Sequence, residues 1–341
     1  MSRTGQEVRV RRYPVGAVMA EDFEIVRVPV ADPGPGQVLV RNTWTSVDPG
    51  LRLRLRPDAP AGYFAAFPLG RAMDGVMAVG EVVESRAAGF SPGDLVSHAQ
   101  GWRDFAVVDP RAEQLGGIGN LTRLDAAAEP KWYLGALGGM GLTAYAGLQV
   151  IGALRGDETV WVSAAAGAVG SLAVQIAKLR GNRVIASAGT DHKVAWLRDA
   201  LGVTAFNYRI DDLRATLRKL APGGIDAYFD SVGGDHLEAA LDHLRRRGRV
   251  AMCGSISEYE SEPRGPRNLF MTVSKDLTLR GFRGSSHLDL LPEMRAQMSA
   301  WLRSGELVHR DTVFDGLDQA PRALSEMLAG RTTGKTLVSI G

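Results

Sequence analysis

Apolar and polar residues alternate in short runs along the first 125 residues, and turn-forming residues separate these runs. The runs occupy residues 23–29, 38–43, 76–84, 95–99 and 105–108. Glycine, proline and aspartate lie between them, as in the segment ADPGPGQ before the second run. Short alternating runs with this turn chemistry predict a folded or barrel-like β lobe.

The pattern changes after residue 130, where apolar, β-branched runs alternate with segments of helical periodicity. The strand-type runs read TVWVSAA, RVIASAG, IDAYFDSV and RVAMCGSI, and the helical segments cover residues 135–150, 171–180, 191–201 and 237–246. Asp191 is predicted to cap the start of the third of these helices. Buried strands that alternate with helices of about ten residues predict a doubly wound α/β domain with a parallel sheet.

The last third of the chain extends both parts of this plan. Residues 276–282 and 335–340 are predicted strands, and residues 289–303 and 320–328 are predicted helices. We expect the tail to return to the first lobe. The predicted domains are therefore a β-rich part, residues 1–125 plus 306–341, and an inserted α/β part, residues 126–305.

Composition and charge narrow the classes of function. The 341 residues suffice for about two domains. The 40 basic and 38 acidic residues give a net charge of +2, which argues against a nucleic-acid or membrane-surface partner. One cysteine, Cys253, leaves no internal disulfide framework. Because the sequence shows no signal-type segment and no long apolar stretch, we expect a cytoplasmic protein.

A glycine-containing turn joins the first α/β strand to the helix that follows it. Residues 159–181 read TVWVSAAAGAVGSLAVQIAKLRG, a variant of the dinucleotide-binding fingerprint with Ala165 at the first glycine position. Gly167 would let the backbone approach a pyrophosphate, and Gly170 would let the helix pack closely on the strand. The helix N-terminus offers N–H groups to phosphate. This order of elements favours nucleotide binding over a merely structural turn.

The end of the second strand distinguishes NADP from NAD. An acidic residue there would bind the free 2′-hydroxyl of NAD, but residues 187–190 contain none. Lys193 follows in the next helix, and Tyr208 and Arg209 end the next strand-type run. Cations and a hydroxyl suit a 2′-phosphate, so we predict NADP(H) as the cofactor. The alternative is that Lys193 is only a solvated helix residue.

Ten segments together resemble the medium-chain dehydrogenase/reductase superfamily, and within it the zinc-independent branch of prostaglandin reductases, leukotriene B4 dehydrogenases and 2-alkenal reductases. The segments are SVDPGLRLR (46–54), MDGVMAVGEVVES (73–85), FSPGDLVSHAQGWRDFAVV (90–108), GALGGMGLTAYAGL (135–148), VSAAAGAVGSLAVQIAKLRG (162–181), TDHKVAWLRDALG (190–202), FNYR (206–209), YFDSVGG (228–234), CGSISEY (253–259) and GKTLV (334–338). The resemblance implies a Rossmann-type doubly wound parallel sheet inserted into a β-rich, barrel-like (GroES-like) catalytic domain. It also implies an NADP(H)-dependent enzyme that forms a homodimer.

The resemblance assigns residues of this chain to the cofactor and to the substrate. Cofactor contacts fall on Gly167, Ala168, Val169, Gly170, Lys193, Tyr208, Ser231, Cys253, Gly254, Ser255, Ile256, Tyr259, Phe282 and Thr333. Ser231 and Thr333 stand where the family often has asparagine. Tyr259 matches a tyrosine that bonds the nicotinamide ribose, and Tyr63 aligns with a substrate-side tyrosine. These two tyrosines are the predicted catalytic residues; the alternative for each is a packing or lid residue without a chemical role.

The residue inventory and the resemblance together predict the reaction. Residues 1–125 contain no cysteine and one histidine, His98, so no zinc-ligand set and no metal are expected. We predict hydride transfer from NADPH to the β-carbon of an α,β-unsaturated ketone or aldehyde. The ribose hydroxyl that Tyr259 holds, together with Tyr63, would stabilise the enolate. Two alternatives stay open: an NADPH:quinone oxidoreductase of the same superfamily, and a non-catalytic NADPH-binding protein.

Two arginine-rich runs are interpreted as exposed features without a binding role. Arg52, Arg54 and Arg56 alternate as they would on an exposed strand. Arg245, Arg246, Arg247 and Arg249 are placed at the C-terminal end of a helix, where the helix dipole favours positive charge.

Overall fold

Two β-sheets and a separate two-stranded ribbon organise the chain. The computed structural model describes residues 3–341. The strands are β1 Thr4–Val10, β2 Phe23–Pro29, β3 Val38–Val47, β4 Ala78–Ser85, β5 Leu95–His98, β6 Phe105–Val108, β7 Thr122–Arg123, β8 Thr159–Val162, β9 Arg183–Ala188, β10 Thr204–Asn207, β11 Ile225–Asp230, β12 Leu244–Met252, β13 Thr278–Gly281, β14 Asp311–Asp315 and β15 Lys335–Ser339. The α-helices are α1 Leu51–Arg54, α2 Gly139–Ala146, α3 Ala168–Leu179, α4 Asp191–Asp199, α5 Leu213–Leu220, α6 Gly234–His243, α7 Met271–Ser274, α8 Leu291–Ser304 and α9 Ala320–Leu328.

The described chain divides into two units, and the first is built from both ends of the sequence. Residues 3–138 and 311–341 form the first unit, and residues 139–310 form the second. In the first unit the sheet has the order β14-β15-β3-β4-β5-β7, with β6 also paired to β3, and β1 pairs with β2 separately. The C-terminal strand β15 runs antiparallel to β3, so the tail packs with the first lobe.

The second unit contains a six-stranded parallel sheet. Its order is β10-β9-β8-β11-β12-β13, and each neighbouring pair is parallel. The first strand of this sheet, β8, lies in the middle. Strands β9 and β10 follow on one side of β8, and strands β11, β12 and β13 follow on the other side. The predicted fold class is confirmed, because a doubly wound parallel sheet is inserted between β7 and β14 of a β-rich unit.

The limits of these units differ from the sequence-based domain boundaries at 125/126 and 305/306. The helical turn Pro130–Leu134 packs against β3 and β4, and the Tyr133 hydroxyl accepts a hydrogen bond from the backbone N–H of Asp125 at 3.1 Å. At the other junction, Gln175 exchanges two hydrogen bonds with the backbone of Val308. These contacts keep residues 126–138 with the first unit and residues 306–310 with the second.

Several local predictions need correction. Residues 51–54 form helix α1 rather than an exposed strand, and Arg52 and Arg54 are buried. The Arg54 guanidinium donates to three backbone carbonyls and stacks over the Phe67 ring at 3.7 Å, which offsets the cost of its burial. The predicted helix 135–150 is divided into α2 and a π-helical turn, Gly147–Ile151.

The second arginine run is also placed differently. Arg245, Arg246, Arg247 and Arg249 lie in strand β12 and not at the end of a helix. Three of them form ion pairs with carboxylates, namely Arg245 with Asp226, Arg246 with Asp276 and Arg249 with Glu158. Within residues 3–341, no helix combines the length and the apolar character that crossing a membrane requires.

Candidate functional site

The turn between β8 and α3 has the geometry of a phosphate-binding turn. A Cβ atom added to Gly170 would lie 2.3 Å from the carbonyl oxygen of Ala164, so the helix approaches the turn at a distance that only glycine permits. Gly167 is the N-cap of α3, and among residues 3–341 no side chain caps this helix. The first backbone N–H groups of α3, on Ala168 and Val169, therefore remain available to an anion.

A group of side chains that we call the cationic cluster, Lys193, Tyr208 and Arg209, lies where β9 and β10 end. A Cβ atom added to Gly189 would lie 2.9 Å from the Tyr208 hydroxyl and 3.2 Å from Nε of Arg209, so both side chains lean over the Gly189 backbone. Lys193 belongs to the same cluster: desolvation by burial, followed by repulsion from Arg209, lowers its pKa. Two cations and a phenol converge here, which suits a doubly charged phosphate.

Asp191, two residues before Lys193, makes its own hydrogen bond to the end of β10. Asp191 does not cap α4 as predicted; Thr190 does, and its hydroxyl accepts a hydrogen bond from the backbone N–H of Lys193 at 3.3 Å. The Asp191 carboxylate instead accepts from the side-chain amide of Asn207 at 2.8 Å. We infer that this bond fixes Asp191 to the end of β10.

Backbone hydrogen bonds join the loops that follow β11 and β12. The carbonyl of Asp230 accepts from the N–H groups of Cys253 and Gly254, at 2.7 and 3.1 Å. The carbonyl of Ser231 accepts from the N–H of Ile256 at 3.1 Å. A Cβ atom added to Gly233 would lie 3.0 Å from Cβ of Ser255, which shows how tightly the two loops pack. The predicted residues Ser231 and Cys253–Ile256 are thus brought together.

Tyr259 ends a short helical turn and folds back over the same loop. Its hydroxyl lies 3.2 Å from the position that a Cβ atom of Gly254 would occupy. The buried Oγ of Ser231 makes no hydrogen bond of good geometry within residues 3–341, and the polar group that it influences is the Cys253 thiol. A buried hydroxyl of this kind is a polar lining group that a polar ligand would satisfy. Desolvation raises the pKa of the neighbouring Cys253 thiol to about 12, so this thiol stays protonated at neutral pH.

Phe282 forms an aromatic wall next to the end of β12. Its backbone N–H donates to the carbonyl of Met252, and its ring packs edge-to-face on Phe229 at 6.3 Å between centroids. A Cβ atom added to Gly147 would lie within 2.6 Å of both rings. The glycine in the π-helical turn therefore makes room for the Phe229–Phe282 pair.

Two of the predicted site residues belong to the first unit. The Tyr63 hydroxyl lies 2.5 Å from the position of a Cβ atom at Gly50, so it packs on the backbone that starts α1. Arg54 supports the segment after Tyr63 by donating to the carbonyl of Ala65 at 2.8 Å. Thr333 is buried beside β14, where its backbone N–H donates to the Thr312 hydroxyl at 3.0 Å.

The lone histidine of the first 125 residues is part of the core. His98 is fully buried; its Nδ1 accepts from the backbone N–H of Gln100, so its Nε2 carries the proton and donates to Oδ1 of Asn42 at 2.9 Å. Burial, together with Arg103, lowers the pKa of His98 to about 3. Residues 3–341 contain no group of three His, Cys, Asp or Glu side chains arranged to hold a metal. The expectation that the protein uses no metal stays a prediction.

Arg209, which was named from the sequence beside Tyr208 as suited to a 2′-phosphate but was not counted among the cofactor contacts, lies in the cationic cluster. Two other residues near the site were not predicted. Asp230 and His236 have roles that depend on tertiary contacts. Their only sequence signal is their position on either side of the glycine pair Gly233 and Gly234, after a buried strand.

Family models and curated relatives match most of the chain. A model described as the N-terminal domain of oxidoreductase matches residues 6–115, and one described as zinc-binding dehydrogenase matches residues 168–304. The chain is 35% identical to a 2-alkenal reductase (NADP(+)-dependent) of Nicotiana tabacum, over 99% of this chain and 98% of the relative. It is 34% identical to the NADPH-dependent curcumin reductase of Escherichia coli, over 98% of each chain.

Solved structures show the same similarity in three dimensions. The structure of CurA from Vibrio vulnificus in complex with NADPH matches with a TM-score of 0.90 at 32% identity, over 98% of this chain and 99% of that one. A quinone oxidoreductase of Pseudomonas syringae matches with a TM-score of 0.77 at 26% identity, over 98% and 99% of the two chains.

Proposed function

The chain belongs to the medium-chain dehydrogenase/reductase superfamily, in the branch of the prostaglandin and 2-alkenal reductases, and on this basis we propose that it reduces the conjugated C=C bond of enones or 2-alkenals with NADPH. It is an NADP(H)-dependent oxidoreductase. The observation that carries the proposal is the position of Tyr208 and Arg209 over Gly189, with Lys193 close enough to Arg209 for the repulsion to lower its pKa.

The residues present fit the cofactor. The N–H groups at the start of α3 would hold the pyrophosphate, and Lys193, Arg209 and Tyr208 would hold the 2′-phosphate. The buried Ser231 hydroxyl offers a hydrogen-bonding group to the same ligand. When bound, NADPH supplies the hydride that the reduction requires.

The protein's own contribution is to orient the reactants and to stabilise negative charge. Reduction at the β-carbon places that charge on the carbonyl oxygen of the substrate, where a hydrogen-bond donor lowers the barrier. We assign Tyr259 to hold the ribose hydroxyl that donates to this oxygen, and Tyr63 as a second candidate donor. The α-carbon then takes its proton from water or from a tyrosine. The nicotinamide would be positioned, and water excluded, by residues of the second unit, namely Cys253–Ile256 and Phe282.

A quinone reductase activity is the second candidate. It is favoured by the similarity to the Pseudomonas syringae quinone oxidoreductase, which shares the fold over nearly the whole of both chains. The names of the more similar relatives favour alkenal and enone substrates instead.

The proposed function predicts the outcome of a substrate screen. With the purified protein and NADPH, we expect the oxidation of NADPH at 340 nm to be fastest with 2-alkenals or enones. Products should carry a saturated C–C bond and an intact carbonyl group, as mass spectrometry and NMR would show. Faster turnover of quinones would favour the second candidate, and no turnover of either class would contradict the proposed function.

Replacement of Lys193 by alanine should weaken NADPH binding and leave NADH binding nearly unchanged. A hydrogen bond to a charged group contributes about 1.5–3 kcal/mol, which corresponds to an increase of roughly ten- to a hundredfold in the Kd of NADPH. Titration of cofactor fluorescence would measure both constants. Lys219, which is exposed on α5, offers a matched control, since Lys219→Ala should change neither constant. Equal losses for both cofactors would refute the assignment of Lys193.

Replacement of Tyr259 by phenylalanine removes one oxygen and keeps the ring. Because this hydroxyl acts through the ribose, we expect kcat to fall on the order of tenfold, less than for a direct oxyanion donor. The Kd of NADPH should change little, since the phosphate contacts dominate binding. Steady-state kinetics with an enone and a separate cofactor titration test this. A variant with full turnover would show that Tyr259 only lines the site.

We also propose that the protein is a cytoplasmic homodimer that associates through the second unit. Strand β13 is at the edge of its sheet, and the neighbouring residues Leu269, Phe270 and Val273 are 52%, 72% and 67% exposed. An open strand edge beside exposed apolar side chains favours pairing with a second copy. The single cysteine is consistent with a reducing compartment.

The dimer proposal predicts the mass in solution. Light scattering at micromolar concentration should give twice the mass of one chain. The double replacement Phe270→Asp with Val273→Asp should shift it toward the monomer, because buried unpaired carboxylates oppose association. Val15, fully exposed in the first unit, supplies the control Val15→Asp, which should stay dimeric. A monomeric mass for the unaltered protein would rule out the dimer.

A further inference from the structure

His236 is buried next to the cationic cluster but is not part of it. It lies in the first turn of α6 and is 5% exposed. One contact of its ring is a stack on Trp161, with 5.7 Å between centroids and 19° between planes. The other is the ring of Tyr208, which packs edge-to-face on it at 4.6 Å and 79°. His236 therefore separates the core tryptophan from the tyrosine that we assign to the 2′-phosphate.

Tyr208, His236, Trp161 and Tyr228 form an aromatic row, in which each ring packs on the next. Hydrogen bonds fix the end of this row that contains Trp161 and Tyr228. Trp161 stacks on Tyr228 at 4.4 Å, and its indole N–H donates to the Ser187 hydroxyl at 3.1 Å. The Tyr228 hydroxyl donates to the carboxylate of Asp230 at 2.8 Å. A stack that is held by hydrogen bonds at two of its members gives His236 a defined position.

His236 contributes a ring to this row and not a charge. Burial lowers its pKa to about 4, so the imidazole is neutral at physiological pH. Its Nε2 is buried and has no hydrogen-bond partner among the residues that the structure describes. The positive charge of the cluster therefore comes from Lys193 and Arg209, and the imidazole acts through its shape.

Tyr208 also packs against the apolar core of the second unit and contacts backbone groups near Gly189. Its N–H donates to the carbonyl of Ala188 at 3.1 Å, and its hydroxyl lies over Gly189. Within residues 3–341, His236 is the ring that packs directly on the Tyr208 ring. Removing it would leave a cavity into which the tyrosine ring can turn, away from the cluster.

We propose that His236 is a positioning residue that orients the Tyr208 hydroxyl toward the 2′-phosphate and thereby contributes to the preference for NADPH over NADH. The proposal rests on the proposed function, because it requires Lys193, Arg209 and Tyr208 to be the 2′-phosphate site. A role in the general stability of α6 would affect both cofactors alike, so the ratio of their affinities separates positioning from structural support.

The test compares His236→Ala with His236→Phe by fluorescence titration with NADPH and NADH. The alanine variant should raise the Kd of NADPH about three- to tenfold, the effect expected of one aromatic contact, and leave the Kd of NADH within twofold. The phenylalanine variant keeps a ring and should restore the NADPH affinity to within about twofold. In a Tyr208→Phe background, which lacks the hydroxyl, His236→Ala should have little further effect.

Two results would overturn the proposal. One is an unchanged ratio of the two constants in His236→Ala, whether both cofactors lose affinity equally or neither does, and the other is full additivity with Tyr208→Phe. Thermal unfolding checks that each variant is folded, and His236→Leu provides the same comparison if the alanine variant does not fold. If Lys193→Ala lowers NADPH affinity selectively and His236→Ala does not, His236 has no positioning role and the phosphate site stands. If Lys193→Ala has no selective effect either, the phosphate site fails and the proposal fails with it.

Discussion

The buried carboxylate of Asp230 joins the core of the second unit to the loops that carry its site. One carboxylate oxygen accepts hydrogen bonds from the Tyr228 hydroxyl and from the N–H groups of Val232 and Gly233, at 2.8–2.9 Å. The carbonyl of the same residue holds the loop that starts at Cys253. Desolvation raises the pKa of Asp230, and the three donors oppose that rise. Loss of this side chain would leave several buried donors unsatisfied at once, at a cost of about 1–3 kcal/mol for each.

This arrangement explains why the site can be both rigid and exposed to a ligand. The polar groups of the loops are largely satisfied by one another and by Asp230, so the loops do not need a ligand to keep their shape. The Ser231 hydroxyl, which makes no hydrogen bond of good geometry in these loops, would face a ligand in our assignment. A site prepared in this way binds with a smaller loss of conformational entropy.

The parts of the fold that depend on local pattern could be predicted from the sequence, and the parts that depend on distant partners could not. The strands of the parallel sheet are apolar and β-branched because both faces are covered, and this signal is local. The need for glycine at position 170 comes from the carbonyl group of Ala164, only six residues earlier in the chain. Arg54 looked like a residue of an exposed strand because the carbonyls that satisfy it, on Asp74 and Gly75, are about twenty positions later. The same limitation hid His236, whose function depends on packing against Tyr208.

The two cations of the cluster, Lys193 and Arg209, influence each other electrostatically. Lys193 and Arg209 repel each other, and the lowered pKa of Lys193 is partly the consequence. The carboxylate of Asp191 accepts a hydrogen bond from the side-chain amide of Asn207, the residue that precedes Tyr208. In our assignment, a 2′-phosphate bound here would offset the repulsion between Lys193 and Arg209. NADH has a hydroxyl in that place and would gain nothing from this relief, so the assignment predicts a preference for NADPH.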